Sequence, residues 1–436
     1  MKQYFTDTYK RTLIIFSTLF FLLPIAHNGM LTLLMLLWLI NSFVVLKKAD
    51  WAYAIKHPIT ILSLTFYALY AASMLYSTDT ANGLRGLETR GSLLVAPLII
   101  LAHRRLLGKN GALQVVKAFI WGNFAVCTLA LIYAAYRVLS TGQLYFLFEG
   151  SEFKHYYFLY DALSEPFMHP GYLSTYVGLA IIGCIYFLSK TKAKGWLAGL
   201  MFLLITLFLL QGRINILALF VVLGVGALVA AIVQRAYKML LLPVFAVVAF
   251  LVVIFIGGDA IKSRFIEMPD FSYDISGTEF TSATYRLAEW SCALDAIAQK
   301  PLTGHGIGDS RAALRDMYGQ RGFHEGVRRN FNAHNQYLET VLAIGFVGLL
   351  VLLLIISVYV KMGWKQKHYL LLASLLFMVL SMLTESMLER AWGVVLFNAY
   401  FPLLLLVRGD EDDIEAKFKE QKSATAEPSP SLINHR

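Results

Sequence analysis

The chain is short of the residues that organise small secreted folds and metal-bound modules. Its 436 residues include only 3 cysteines, Cys127, Cys184 and Cys292. Two of these sit inside long apolar runs and none has a paired spacing, which excludes a disulfide framework and a thiolate metal site and leaves packing as their role. Charge is scarce as well. Charged residues make up 15% of the chain against 58% hydrophobic, a balance too apolar for an ordinary soluble globule of this size. Acidic residues are fewer than basic ones, giving a formal net charge of +10. The basic residues are nonetheless scattered through loops, with no stripe interleaved with aromatics, so nucleic acid is excluded as a partner. No repeat at a period of roughly 20 to 50 residues is present, which excludes a solenoid or array.

What the chain does have is apolar runs. A hydrocarbon core about 30 Å thick takes roughly 20 mostly apolar residues per helix, fewer where the bilayer thins. Runs at about 12–26, 30–46, 58–76, 91–103, 114–136, 170–188, 196–210, 214–233, 239–256, 338–360, 369–383 and 393–407 predict an all-α polytopic membrane protein of about twelve transmembrane helices. The fourth run, GSLLVAPLIILAH, is short and carries Pro97; a buried or re-entrant helix is the alternative there. The first ends in AHN with no small-x-small cleavage site and is followed at once by another run, so it is read as a retained span rather than a signal peptide.

Loop charges test this count, because cytoplasmic loops collect Lys and Arg. With both termini inside, the short cytoplasmic connections hold Lys47, Lys48 and Lys56, then Arg104, Arg105 and Lys109, then Lys190, Lys192 and Lys194, then Arg235 and Lys238, then Lys361, Lys365 and Lys367. Every one is basic. The exported segments prefer arginine, with Arg85, Arg90, Arg213, Arg286, Arg311, Arg321 and Arg390 among them. A guanidinium holds phosphate or carboxylate with a planar fork of donors, where an ammonium is a point charge. An anionic ligand on the exported face accounts for that bias; the alternative is that the arginines pair with Glu267, Asp270, Asp274, Glu279 and Glu289 of the same loop or sit solvated.

The resulting organisation is helices 1 to 9 over residues 1–256, a large periplasmic loop with short helices over 257–337, helices 10 to 12 over 338–407 and a flexible, charged cytoplasmic tail over 408–436. Within the loop, TSATYRLAEWSCALDAIAQK reads as a helix stopped by Pro301 and the glycines of PLTGHGIGD. A second helix follows, with Asp309 as N-cap, through RAALRDMYGQ. Gly304, Gly306 and Gly308 read as a turn between helices in preference to a phosphate cradle. Asp270 and Asp274 have no convergent His partner in sequence, so no metal site is expected.

The strings GRINILAL, YRLAEWSCALDAIAQKPLTGHGIG and HNQYLETVLAIGFVG together resemble the O-antigen ligase and O-antigen polymerase superfamily. The resemblance is strongest over about 205–355, and LETRGSLLVAPLIIL and HPGYLSTYVGLAI resemble its ligase-like branch. It implies a multi-helix membrane glycosyltransferase in a bacterial inner membrane, inverting, metal-independent and without a cofactor. The implied donor is a glycan on undecaprenyl diphosphate and the implied acceptor a sugar hydroxyl of the lipid A core. Membrane lipids surround it. The family's functional positions fall on Arg213, Arg286 and His334, with Arg90 a weaker match.

The chemistry suits those residue types. A diphosphate leaving group takes preorganised positive charge, which Arg213 and Arg286 supply. An attacking hydroxyl loses a proton, and imidazole is the side chain whose ordinary pKa lies nearest neutrality, which makes His334 the candidate base. His169 and Asn335 are further candidates, and His305 and His324 weaker ones. The polymerase and a protein-directed O-oligosaccharyltransferase remain open. A transporter is the non-enzyme alternative, although transporters place ionisable groups at the midplane and here they cluster at the exported rim.

Overall fold

The structure is a computed structural model that describes residues 2–26, 28–147, 155–256, 275 and 282–407. The 408–436 tail and the stretch bearing Glu267, Asp270, Asp274 and Glu279 lie outside the described residues.

The described chain is helical apart from one short antiparallel pair, in which Tyr145 lies opposite Tyr156 and Phe146 opposite His155. Each apolar run of the sequence falls on a helix. Among the described residues, five helices are long and apolar enough to cross a membrane: Arg104–Thr141, Pro170–Thr191, Arg213–Val233, Tyr237–Ile256 and Gln336–Lys365. Shorter apolar helices are Leu33–Val45, Pro58–Ser73, Lys194–Leu209, Tyr369–Ser381 and Ala391–Leu406. This is a multi-pass membrane protein. The Ser92–Ala102 helix is about 16 Å long at 1.5 Å per residue, well short of the hydrocarbon thickness. Most of its residues are buried, packed on Ala391–Leu406 and Pro58–Ser73.

Burial runs opposite to that of a soluble protein at the periphery. Ala391–Leu406 is the central post, buried at every residue after the first. On the outer helix Leu241–Ile256, Phe245 is 74% and Phe255 81% exposed. Apolar side chains turned outward in rows belong against hydrocarbon, not water.

The polar insertion supplies the helices Ser282–Gln299, Ser310–Gln320 and His324–Arg329. The first two are those expected from the sequence, and they have a small core of their own. Ala288, Cys292 and Ala296, spaced along one helical face, pack with Leu314, Tyr318 and Phe323.

The turn between them docks on a broken membrane helix. Gln336–Lys365 is interrupted at Ile344 and Gly345, the latter at φ +69°. A break leaves carbonyls without helical partners, and these must be satisfied inside the protein. His305 N–H donates to Leu342 O (2.7 Å), Gly306 N–H to Ala343 O (3.0 Å) and Phe346 N–H to Pro301 O (2.9 Å). A Cβ on Gly345 would sit 1.9 Å from Leu302 O, so only glycine admits the crossing. The other side of the turn meets the end of Pro58–Ser73, where Ile307 N–H donates to Ser73 Oγ (3.0 Å) and Gly308 N–H to Ser77 Oγ (3.2 Å). These amides are spent on the fold rather than on a phosphate. Asp309 occupies the N-cap position of its helix, yet its carboxylate does not cap it. It accepts instead from Thr78 N–H (2.7 Å) and Asp79 N–H (2.8 Å), tying the insertion to the start of Thr80–Thr89.

Candidate active site

His334 enters the site on a short link before Gln336–Lys365. Its backbone is left-handed, φ +40°, a conformation disfavoured for a side chain of this size and one that accumulates at functional sites. The link is held on both sides. His334 N–H donates to Asn332 Oδ1 (3.0 Å) and Ala333 N–H to Glu339 Oε2 (2.9 Å). Asn335 Oδ1 accepts from Tyr337 N–H (3.0 Å) and Leu338 N–H (3.1 Å), so Asn335 serves as an N-cap. Its side chain positions its neighbour.

The ring of His334 meets Glu289, with Nδ1 2.9 Å from Oε2. The Glu289 side chain is 1% exposed and that of His334 20%. With a carboxylate at Nδ1, the proton is held there and Nε2 is left as the acceptor. Burial lowers the His334 pKa, and the charge and hydrogen bond of Glu289 outweigh it, leaving the imidazole more basic than an ordinary histidine.

Arg286 lies three residues before Glu289, which puts the two on one face of Ser282–Gln299. Its Nε–H donates to Thr384 O (3.2 Å). Arg286 also lines a cavity of about 270 Å³, together with His169, Arg213, Asn215 and Glu385. Arg213 is the first residue of Arg213–Gln234 and Pro170 the first of Pro170–Thr191, and both line this cavity, as does Ala283 near the start of Ser282–Gln299. Two helix N-terminal turns and two guanidiniums therefore face one space, with the Glu385 carboxylate also in its wall. Helix N-termini carry partial positive charge, and with two guanidiniums against one carboxylate the space favours an anion. His334 lies beside it, close enough for Glu385 and Arg286 to act on its charge.

His169 is both cap and wall. Gly171 N–H donates to its Nδ1 (3.3 Å), which caps Pro170–Thr191. Burial lowers its pKa, Glu385 opposes this, and Arg390, His334 and Arg286 add to it. A neutral ring with Nδ1 occupied as acceptor carries its proton on Nε2.

Arg90 stands elsewhere. It is ion-paired to Glu389, donates from Nη1 to Gly86 O (3.1 Å) and stacks its guanidinium 4.4 Å from the centroid of Tyr70. It is not among the residues lining the cavity of Arg213 and Arg286. Arg311 reaches the other oxygen of Glu389 at 3.7 Å. His305 is structural, its Nε2 2.8 Å from Ala296 O, and His324 is exposed at the start of the His324–Arg329 helix.

The acids were the part that sequence reasoning missed. Glu289 was expected, if anything, against an arginine; it pairs with His334 instead. The described arginines of these segments that form ion pairs use other acids, Arg90 and Arg311 with Glu389, Arg321 with Asp295, and Arg328 and Arg329 with Glu325. The spacing of Arg286 and Glu289 was the available signal. Glu385 and Glu389 sit in a polar turn between apolar runs and gave none.

No curated protein matches the chain. The family model described as O-antigen ligase matches residues 198–353. That stretch holds Arg213, Arg286, Glu289 and His334, while Arg90, His169, Glu385 and Glu389 fall outside it. Residues 198–353 of this membrane protein are thus an O-antigen ligase family domain.

Proposed function

We propose that the protein transfers a glycan from a polyprenyl diphosphate, undecaprenyl diphosphate in a bacterial inner membrane, to a hydroxyl of a lipid A-core sugar. The observation that carries this reading is the cavity where Arg213, Arg286 and two helix N-terminal turns converge beside the Glu289–His334 pair. In it, Arg213 and Arg286 hold the diphosphate and stabilise the charge that develops on it. His334 Nε2 takes the proton of the acceptor hydroxyl as that oxygen bonds to the anomeric carbon. The bond from the anomeric carbon to the phosphate oxygen breaks with inversion, and the polyprenyl diphosphate leaves with the bonding pair. Glu289 then faces an imidazolium and stabilises it, as a carboxylate does in a triad.

The proposed topology has about twelve crossings, both termini cytoplasmic and the insertion at 257–337 periplasmic. The domain limits expected from the sequence, 1–256, 257–337, 338–407 and 408–436, go with it. A polymerase shares the donor half of this scheme and differs in its acceptor, a carrier-linked repeat; protein-directed transfer differs likewise.

The experiment is transfer by the purified full-length protein in bilayers, from a polyprenyl-diphosphate glycan to lipid A-core, carrier-linked repeats or a protein acceptor in turn. Proton removal by a placed side chain contributes about 100-fold to 10,000-fold, so His334→Ala is expected to lose at least the lower figure per folded molecule, a loss beyond what its reduced stability accounts for. A stable His334→Ala that transfers at the parental rate overturns the mechanism, and product on a different acceptor redirects the substrate assignment.

A further inference from the structure

A second cavity, of about 430 Å³, lies away from the Arg213–Arg286 site. It runs between Asn28–Val45, Ser92–Ala102 and Ala391–Leu406, with Thr80–Thr89 across one end. Leu31, Met35, Leu39, Val95 and Val395 give it an apolar floor. Leu36, on its rim, is 53% exposed and continues into the outward row Leu33, Leu37 and Ile40, so the groove borders the face turned to hydrocarbon. From Leu31 to Leu39 its floor is about 12 Å long, at 1.5 Å per residue.

One end is polar, with two exposed charges and one buried hydroxyl that lacks a partner among the described residues. Arg85 and Glu88 both line it, are exposed, and form no ion pair with each other or with any other described residue. Ser92, 5% exposed, also lines it, and its buried Oγ has no hydrogen-bond partner among the described residues. Buried hydroxyls rarely stay unbonded. A site with one cation, one anion, one hydroxyl donor and an adjoining apolar trough matches a headgroup that has both a phosphate and an ammonium, with its chain in the trough.

We propose that this groove binds one bilayer phospholipid of the phosphatidylethanolamine type. Its phosphate meets the Arg85 guanidinium and the Ser92 O–H, and its ammonium meets Glu88. A lipid with a phosphate and no ammonium would set a second anion against Glu88. The groove walls include Gly91 and Ala391, which adjoin Arg90 and Arg390, so the lipid braces the junction that holds the Arg90–Glu389 pair.

The test is native mass spectrometry of the full-length protein, delipidated in detergent and then offered dioleoyl phosphatidylethanolamine or dioleoyl phosphatidylglycerol at equal concentration. One phosphatidylethanolamine should be retained, over phosphatidylglycerol by about tenfold, the scale of one charge-assisted hydrogen bond. Glu88→Gln should remove the preference, Arg85→Gln should weaken phosphatidylethanolamine by a similar factor, and Val95→Trp should fill the trough and lose both lipids. Equal retention of the two lipids by the parent overturns the proposal without any substitution. Folded Arg85→Gln and Glu88→Gln variants that keep the parental pattern overturn it as well.

Discussion

His334 Nδ1 lies 2.9 Å from Glu289 Oε2, and the carboxylate is buried while the imidazole keeps a fifth of its surface open. The pair is a base with its orienting acid. Glu289→Gln retains size and a polar contact but removes the charge, so transfer should fall by about 100-fold to 10,000-fold. Because Glu289 raises the His334 pKa, the acid limb of the rate against pH should move to lower pH in the variant. An unmoved limb and a parental rate would remove Glu289 from the site.

The same pair has a stability signature of definite sign. His334 is raised above its ordinary value when folded, so the stabilisation it supplies is complete below about pH 6.5 and is lost as pH rises through the raised value. The melting-temperature difference between parent and Glu289→Gln should therefore be larger at pH 6 than at pH 9. A difference independent of pH would mean that no linked proton is involved.

Arg213 and Arg286 make a test of geometry against charge. Lysine at either position keeps a cation and loses the fork, so transfer should drop by about tenfold to a hundredfold in Arg213→Lys and Arg286→Lys. Near-parental rates in both would reduce these arginines to topological or structural roles.

Much of this was readable in the sequence, and the unread part has a physical pattern. Long continuous apolar runs report helices directly, because in a bilayer a helix satisfies its own backbone within one segment, whereas barrel strands alternate apolar and polar residues. The basic loops and the Pro301 stop were equally local signals. The docking of His305 and Gly306 on the carbonyls of Leu342 and Ala343 was not, since the break at Gly345 lies inside a run that reads as one continuous span. For the same reason Asp309 looked like a cap: the N-terminal signature is local, whereas its partners Thr78 and Asp79 are more than two hundred residues away. The site's acids were hidden because carboxylates near arginines read as solvated ion pairs until their depth is known.

Gly345 should be the least replaceable glycine of the insertion's dock. At φ +69° and ψ −175° it occupies a region open essentially to glycine alone, and its missing Cβ faces Leu302 O. Gly345→Ala should cost about 2 kcal/mol or more. The loss should be local first, with hydrogen exchange rising in 301–308 before the membrane helices. Parental protection there would mean that the crossing can be relieved by a small shift.

Arg90 is set apart from the diphosphate by its buried ion pair. Its side chain is 4% exposed, paired with Glu389 at 17% and stacked on Tyr70. Removing one partner of a buried pair strands the other charge, which costs about 3 to 5 kcal/mol, whereas removing both together costs far less. Arg90→Met should therefore be severely destabilised, and Arg90→Met with Glu389→Gln should recover much of the loss, Arg311 being exposed enough to do without Glu389. Transfer should follow stability: the double variant should work better than the single one. A ligand-binding arginine makes the opposite forecast, because restoring stability would leave the donor's phosphate without its partner. Melting temperatures and transfer rates of the three proteins decide between the two, and a stable but inactive double variant would return Arg90 to the diphosphate site.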